Sequence, residues 1–406
     1  MTNELLVRTR AVVMRVLLVN KFARVTGGAD LHCLWLAAAL RDRGHDVRFL
    51  STAAEGNLDH EGVFVSPTVT HATRDTMPSR SRPAVAANAI WNREAAAATR
   101  RLLAEWRPDV VHAHKLYPQL SVAPVVEAAR ARVPVVQTLH DFELVSAGAL
   151  DARGRWRDGD ESRASYRLVN TATLPVRRHV HVRRVTAFVA VSRFVARIYS
   201  RHGIEASVLP NFVAPADDAT LVAAETRSGI AFVGRLTADK GIRDVLSLAT
   251  ALAEVPVTIV GTGTLEDEVR SRAATLPNVT LTGFVSPTEV ARIVARARLV
   301  VLPSLCHEAA GLVAVEAMAA GTPVVAYASG GLAEYVADAG SGIVVPRDPV
   351  SLAAACARLL ADAGAWSEMS ARGLEAARTT HSRERYVTRI ESLYSSLQPS
   401  GSLTNR

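Results

Sequence analysis

Short apolar runs alternate with longer stretches of helical period along most of the chain. Met14–Asn20 reads as a buried strand, because Val16, Leu17, Leu18 and Val19 stand in an unbroken run suited to a position covered on both faces. A loop with Gly27-Gly28 follows, then a helix expected from about Asp30 to Arg43, a Gly44 C-cap and a strand Asp46–Leu50. Val110–His114, Val133–Leu139 and Ala187–Val191 are further strands, separated by Ala-rich helical segments. After a polar, irregular stretch around Asn211–Ser228 a second series begins: Ile230–Val233, Val257–Val260, Val279–Leu281, Leu299–Leu302, Pro323–Ala326 and Gly342–Val345. Strands alternating with helices predict parallel sheets covered on both faces. The expected fold class is therefore α/β, with two doubly wound, Rossmann-like sheets facing across one cleft. Residues 1–207 form the expected first domain and 208–382 the second. An amphipathic helix over Arg383–Leu397 is expected to cross back onto the first domain, with 398–406 as a loose tail.

Composition narrows the class. The 406 residues are 49% hydrophobic and 21% charged, which excludes a disordered chain and supports two or three cores. No apolar run reaches the roughly 18 residues of a spanning helix. Arg15 splits the apolar patch Val12–Val19, so a signal peptide is not expected. Cys33, Cys306 and Cys356 are too few and too scattered for a disulfide framework, which fits a cytoplasmic location. The net charge of +8 is uneven: residues 1–208 carry +11 and the remainder −3. Nucleic-acid binding needs a motif as well as charge, and none is present. Of the 47 basic residues 44 are Arg. The three lysines, Lys21, Lys115 and Lys240, each follow an expected strand and are placed on the strand ends that line the cleft.

Three stretches carry chemistry. In Pro303–Pro323, Glu308 and Glu316 lie eight apart, the first at a strand-to-helix turn and the second inside a helix. Eight helical residues rise about 12 Å, a separation that suits hydroxyls at opposite ends of a nucleotide-sugar. Gly311 and the amides after it offer a helix N-terminus to a diphosphate. The plainer reading makes Glu308 a dipole-complementing residue and Glu316 a surface one. In Gly234–Gly241, Arg235 and Lys240 follow a strand, as a departing diphosphate requires; the plainer reading is a solvated loop. The sequence is not a Walker loop, since Gly241-Ile242 follows the lysine. His140-Asp141 closes Val133–Leu139 and is either a hydroxyl-contacting imidazole or a pair that structures a turn. Gly27-Gly28, Gly261-Thr-Gly263 and Gly283-Phe284 end other strands. Asp158-Gly-Asp160 lacks an apolar strand before it and reads as a turn, not a metal site. The first strand–loop–helix unit lacks a dinucleotide fingerprint, which argues against NAD.

In this order, the motifs resemble the GT-B retaining glycosyltransferases of family 4 over nearly the whole chain. The shared set runs from Gly27-Gly28 and Arg43–Val47 through His140-Asp141, Val189–Ser192 and Leu209–Asn211. It continues through Gly234–Gly241, Val260–Gly263, Gly283–Val285, the two glutamates and Gly321–Pro323. The resemblance implies that Glu316 holds the donor ribose and Glu308 the donor sugar hydroxyls. Arg235 and Lys240, with the Gly311 and Leu312 amides, would bind the diphosphate. Gly28, Gly263 and Phe284 would complete the donor site, with the Gly283–Val285 backbone beside the base. His140 would touch the transferred sugar near its anomeric carbon. Ala309-Ala310 stands where the family usually has Gly-Phe, so the sugar contact differs there.

The implied reaction transfers a sugar, with retention, from a UDP- or GDP-linked donor to a hydroxyl acceptor in glycan, glycolipid or glycoside biosynthesis. Neither a cofactor nor a metal is expected, because two cations and a helix terminus can stabilise the leaving diphosphate. Residues 153–201 carry 12 Arg against three acids, which would suit anionic lipid headgroups and a lipid-linked acceptor at the inner face of the cell membrane. The plainer reading is a helix surface in an Arg-rich proteome. Two rival functions stand beside the transferase: an epimerase or hydrolase on the same fold, and a non-catalytic binding subunit.

Overall fold

The computed structural model describes residues 13–57, 62–67, 87–146, 149–150, 156–157, 164–213 and 222–398. Asp158-Gly-Asp160 and residues 399–406 lie outside them. The strands of the first half are β1 (Arg15–Val19), β2 (Asp46–Thr52), β3 (Val63–Val65), β4 (Val110–Ala113) and β5 (Val135–Leu139). A short antiparallel pair, β6 (Ala149–Leu150) and β7 (Trp156–Arg157), precedes β8 (Ala187–Ala190) and β9 (Ser207–Val208). The second half supplies β10 (Ile230–Val233), β11 (Val257–Val260), β12 (Val279–Gly283), β13 (Leu299–Leu302), β14 (Val324–Tyr327) and β15 (Gly342–Val345).

Two parallel sheets result, in the orders β3-β2-β1-β4-β5-β8-β9 and β12-β11-β10-β13-β14-β15. Each is doubly wound, and the direction of winding reverses between β1 and β4 in the first and between β10 and β13 in the second. The chain leaving those strands is where such sheets open a crevice for ligand. The apolar run in β1 is explained by its place: Val16 pairs with both Val47 and Val110, and Val16 to Val19 are fully buried.

Differences from the sequence reading are local. β5 starts at Val135 instead of Val133, since Pro134 has no N–H to give the ladder and Val133 turns back onto Ala128. His114 lies just past β4, and the first long helix runs Gly28–Asp42, starting two residues earlier than expected. β3 and β9 are too short to leave a periodic signal. β9 also runs across the expected 207/208 division, and the second sheet begins only at Ile230.

The C-terminal helix Arg383–Ser396 lies against the first sheet, not the second. Its Tyr386, Val387, Ile390 and Tyr394 enter the same core as Leu18, Leu36 and Phe49. Its rim carries Glu391 against His45 at 2.8 Å and Glu384 against Arg43 at 2.9 Å. The two halves also touch directly: Ser192 Oγ donates to the Ala309 carbonyl at 2.6 Å, and the Asn211 amide donates to Tyr335 Oη at 3.0 Å.

Candidate active site

Both reversal points open into one cleft of about 1200 Å³ between the sheets. Gly28, His140, Arg235, Lys240, Glu308, Gly311 and Leu312 all line it, and so do Lys21 and Lys115. Gly263, Phe284 and Glu316 do not stand in that wall. Phe284 is 71% exposed, and Glu316 is half-buried one turn behind Leu312 on the helix Leu312–Ala319.

The second-domain wall is built by two strand exits locked together. After β10 the chain forms a 3-10 turn, Ala238–Lys240, and reaches Gly241 at φ +70. A Cβ at Gly241 would sit 1.9 Å from the Pro303 carbonyl oxygen, so only glycine lets this turn lie against the exit of β13. The Leu305 amide donates to the Asp239 carbonyl at 2.8 Å across the same seam. Lys240 Nζ is thereby placed to donate to Glu308 Oε1, which also accepts from Ser304 Oγ at 2.6 Å. Burial pulls the Lys240 pKa down, but the charge and hydrogen bond of Glu308 more than offset it, leaving the ammonium above its usual value. Arg235 lies 3.4 Å from Asp239 on the same loop.

The spacing argument for the two glutamates needs correction. The helix starts only at Leu312, and Glu308 sits in an extended loop bridged to Gly330. The helical rise from Leu312 to Glu316 is about 6 Å, and the loop supplies the remaining separation. No side chain caps this helix, whose N-terminus at Gly311 and Leu312 lines the cleft. Burial alone raises the Glu316 carboxyl to about 7. Across the cleft, Gly28 and Leu312 bring two helix N-termini together: a Cβ on Gly28 would meet Leu312 Cδ2 at 3.3 Å.

The first-domain wall differs from the turn pair allowed by the sequence. Asp141 pairs with Lys115 at 2.6 Å and accepts from the Glu143 amide at 2.9 Å, while His140 Nε2 meets His114 Nδ1 at 2.8 Å. Period-two geometry along β4 and its extension puts His112 and His114 on one face. Their rings stack at 4.4 Å, and His114 stacks on His140 at 5.1 Å. His112 is fixed at both nitrogens, by Tyr394 Oη at 2.6 Å and Thr138 Oγ1 at 2.8 Å. Burial holds His140 well below the usual histidine pKa, so it stands as a neutral imidazole at the cleft floor. Burial and the neighbouring Lys115 bring Lys21 down to about 8. Burial and Asp141 lift Glu143 to about 7.

Glu143, Ser304 and the histidines behind His140 escaped the sequence reading as site residues, and Asp141 entered it only as the partner of His140. The one signal available was the period-two His112/His114 pattern at a strand end. Arg177, one of the arginines of the basic segment, is buried and lies 3.8 Å over the Tyr117 ring rather than on the surface.

Residues 26–217 match the family described as Glycosyltransferase Family 4, and residues 227–362 match Glycosyl transferases group 1. A glycogen synthase of Mycobacterium tuberculosis is 30% identical over 388 residues, covering 87% of each chain. The chain belongs to glycosyltransferase family 4. This glycosyltransferase is also 28% identical to a phosphatidyl-myo-inositol mannosyltransferase of Mycolicibacterium smegmatis, over 83% of this chain and 82% of that one. In fold it is similar to the Anabaena protein HepE solved with UDP and glucose, at a TM-score of 0.66 and 19% identity, covering 94% of this chain and all of the other. The two facing parallel sheets are thus a GT-B fold. Among the described residues, no helix of the glycosyltransferase is long and apolar enough to cross a membrane.

Proposed function

We propose that this glycosyltransferase moves a sugar, with retention, from a UDP- or GDP-linked donor to a hydroxyl acceptor in glycan, glycolipid or glycoside biosynthesis. The observation that carries the reading is the Lys240–Glu308 pair beside an uncapped helix N-terminus, with neutral His140 lining the opposite wall of the same cleft. Lys240, Arg235 and the Gly311 and Leu312 amides hold the donor diphosphate. Glu308 takes the sugar hydroxyls and Glu316 the ribose. HepE bound to UDP and glucose supports a nucleotide-sugar in a cleft of this fold.

In the transfer, the anomeric carbon's bond to the β-phosphate oxygen breaks as its bond to the acceptor oxygen forms on the same face. The acceptor proton passes to the departing phosphate oxygen. Charge on the leaving group is met by Lys240, Arg235 and the helix terminus, so the step proceeds without a metal. His140 borders the anomeric centre as a neutral group, which adds no repulsion to an oxocarbenium-like carbon.

The acceptor arrives along the first domain. Helix Ala164–Arg184 exposes Val176 and Val182 alongside Arg183 and Arg184, a mixed face suited to anionic headgroups and a peripheral position at the inner leaflet. The mannosyltransferase relative, named for a phosphatidylinositol acceptor, supports a lipid-linked hydroxyl. A panel of nucleotide-sugars in single turnover, with the product anomer read by NMR, tests the reaction. An inverted product, or free nucleoside diphosphate with no transfer to any acceptor, overturns it. Flotation with anionic and neutral vesicles tests the membrane face.

A further inference from the structure

Behind the sugar-facing ring of His140 lies a group of side chains that transfer does not use. Among the described residues, His32, His114 and His140 are the one set of three metal-ligating side chains whose donor atoms all lie within 4.8 Å of one another. His32 comes from the helix Gly28–Asp42, His114 from the exit of β4 and His140 from the exit of β5. The sheet reversal point brings them together although they span more than a hundred residues of chain.

Hydrogen bonding accounts for one side of the group only, where His140 Nε2 meets His114 Nδ1 at 2.8 Å. Neither ring nitrogen of His32 has a hydrogen-bond partner among the described residues, and Nε2 of His114 has none either. His32 is fully buried and His114 is 1% exposed. Aromatic packing orients the His32 ring, with Phe212 and Tyr386 each at 5.0 Å in edge contact. Burying an unpaired imidazole is unfavourable unless something binds its lone pair. Burial holds all three rings below the usual histidine pKa, so each keeps a lone pair at neutral pH.

We propose that His32, His114 and His140 form a binding site for a borderline-soft divalent cation such as Zn²⁺, entered from the cleft past His140, and that the ion inhibits transfer by engaging that ring. Three imidazole nitrogens suit Zn²⁺ or Co²⁺ better than Mg²⁺ or Ca²⁺, which prefer oxygen. Zn–N bonds of about 2.0–2.1 Å set nitrogens about 3.4 Å apart in a tetrahedron, so closing the widest pair takes about 0.7 Å from each ring. The proposed transfer uses no metal, so the ion is not needed for turnover. The inhibitory part rests on the proposed role of His140, whereas the binding part does not.

The test uses the full chain stripped of metal and titrated with Co²⁺ in the absence of substrates. One equivalent should produce the visible absorption of a tetrahedral site, bleached by stoichiometric Zn²⁺. His32→Phe and His114→Gln should each weaken binding by about 100-fold. X-ray absorption of the Zn²⁺-loaded wild-type chain needs no folded variant, and should show three imidazole scatterers. A shell of oxygen alone, or affinity unchanged in His32→Phe, overturns the site and leaves buried water as the partner of these rings. Zn²⁺ should also inhibit transfer reversibly, with chelator restoring it. Binding without inhibition overturns the inhibitory part. Absence of any transfer counts against the proposed reaction, and the Co²⁺ titration still decides the site.

Discussion

Lys240 and Glu308 are 68 residues apart in sequence and meet through one ion-paired hydrogen bond in the cleft, each with a side chain 22% exposed. The pair joins the exits of β10 and β13, the two strands between which the second sheet reverses. Glu308 raises the Lys240 pKa, and each partner holds the other in place. Removing one therefore leaves the other partly buried without its counter-charge. Lys240→Ala should lower kcat/KM by at least about 100-fold and cost about 2 kcal/mol of stability, less than a fully buried pair because both groups see some water. Glu308→Gln should lose activity with a smaller loss of stability. The double variant should be less destabilised than the sum of the singles, as read by urea titration and steady-state kinetics. Activity of Lys240→Ala within a few-fold of wild type would sink the diphosphate assignment.

Glu316 predicts a pH dependence in donor binding. Its carboxyl is raised by burial from 4.5 to about 7, and a ribose diol hydrogen-bonds best to the ionised form. UDP affinity should therefore rise between about pH 6 and 8, and Glu316→Gln should flatten that rise in calorimetric titrations across pH. The unliganded protein should show the opposite sign in stability. The unfolded chain gives up this proton first, so the contribution of Glu316 to stability falls as pH rises from about 4.5 through 7.

Gly241 and Gly28 should respond differently to one added methyl group. Gly241 combines φ +70 with a Cβ position 1.9 Å from a backbone oxygen that cannot step aside. Gly241→Ala should cost about 3 kcal/mol and displace the Lys240 turn, abolishing transfer. Gly28→Ala meets the Leu312 side chain, with Cδ2 at 3.3 Å and Cβ at an ordinary contact of 3.4 Å, so its stability should stay within about 1 kcal/mol of wild type. Thermal melts of the two variants, side by side, separate a backbone requirement from a contact that can relax.

Tyr394 ties the last helix to the histidines of the cleft. Tyr394→Phe would leave the buried Nδ1 of His112 unpaired and should cost about 1–2 kcal/mol. A truncation that ends at residue 382 would strip Tyr386, Val387, Ile390 and Tyr394 from the first-domain core and should prevent stable folding. A truncated chain that melts like the intact one would show that this helix is dispensable.

Much of the fold was legible because burial writes itself into local pattern. The β1 run Val16 to Val19 and the inner strands β10, β13 and β14 are continuous apolar segments, since strands covered on both faces admit no polar alternation, whereas the edge strand β12 alternates Val279-Thr-Leu-Thr with every second residue exposed. Lys21, Lys115 and Lys240 were placed on the cleft for a similar reason: residues that follow a parallel strand emerge on the ligand-binding edge, and all three line it. β3 and β9 were missed because two or three residues carry no period. Phe284 ends a strand, but its side chain turns to solvent, a direction that strand position does not set.

Local order along the chain is enough to give an α/β fold of two parallel sheets, the family, and the strand ends from which site residues come. Those properties depend on short-range periodicity and on motifs a few residues long. The partners of each site residue depend on which strands lie side by side. Asp141 took Lys115 rather than its neighbour His140 and His140 took His114, because β4 and β5 lie side by side, and Lys240 took Glu308 because the sheet reversal set β10 beside β13; each pairing brought distant strand exits within hydrogen-bond reach. Contacts across tens or hundreds of residues are selected by the packing of whole sheets, and no local pattern encodes them.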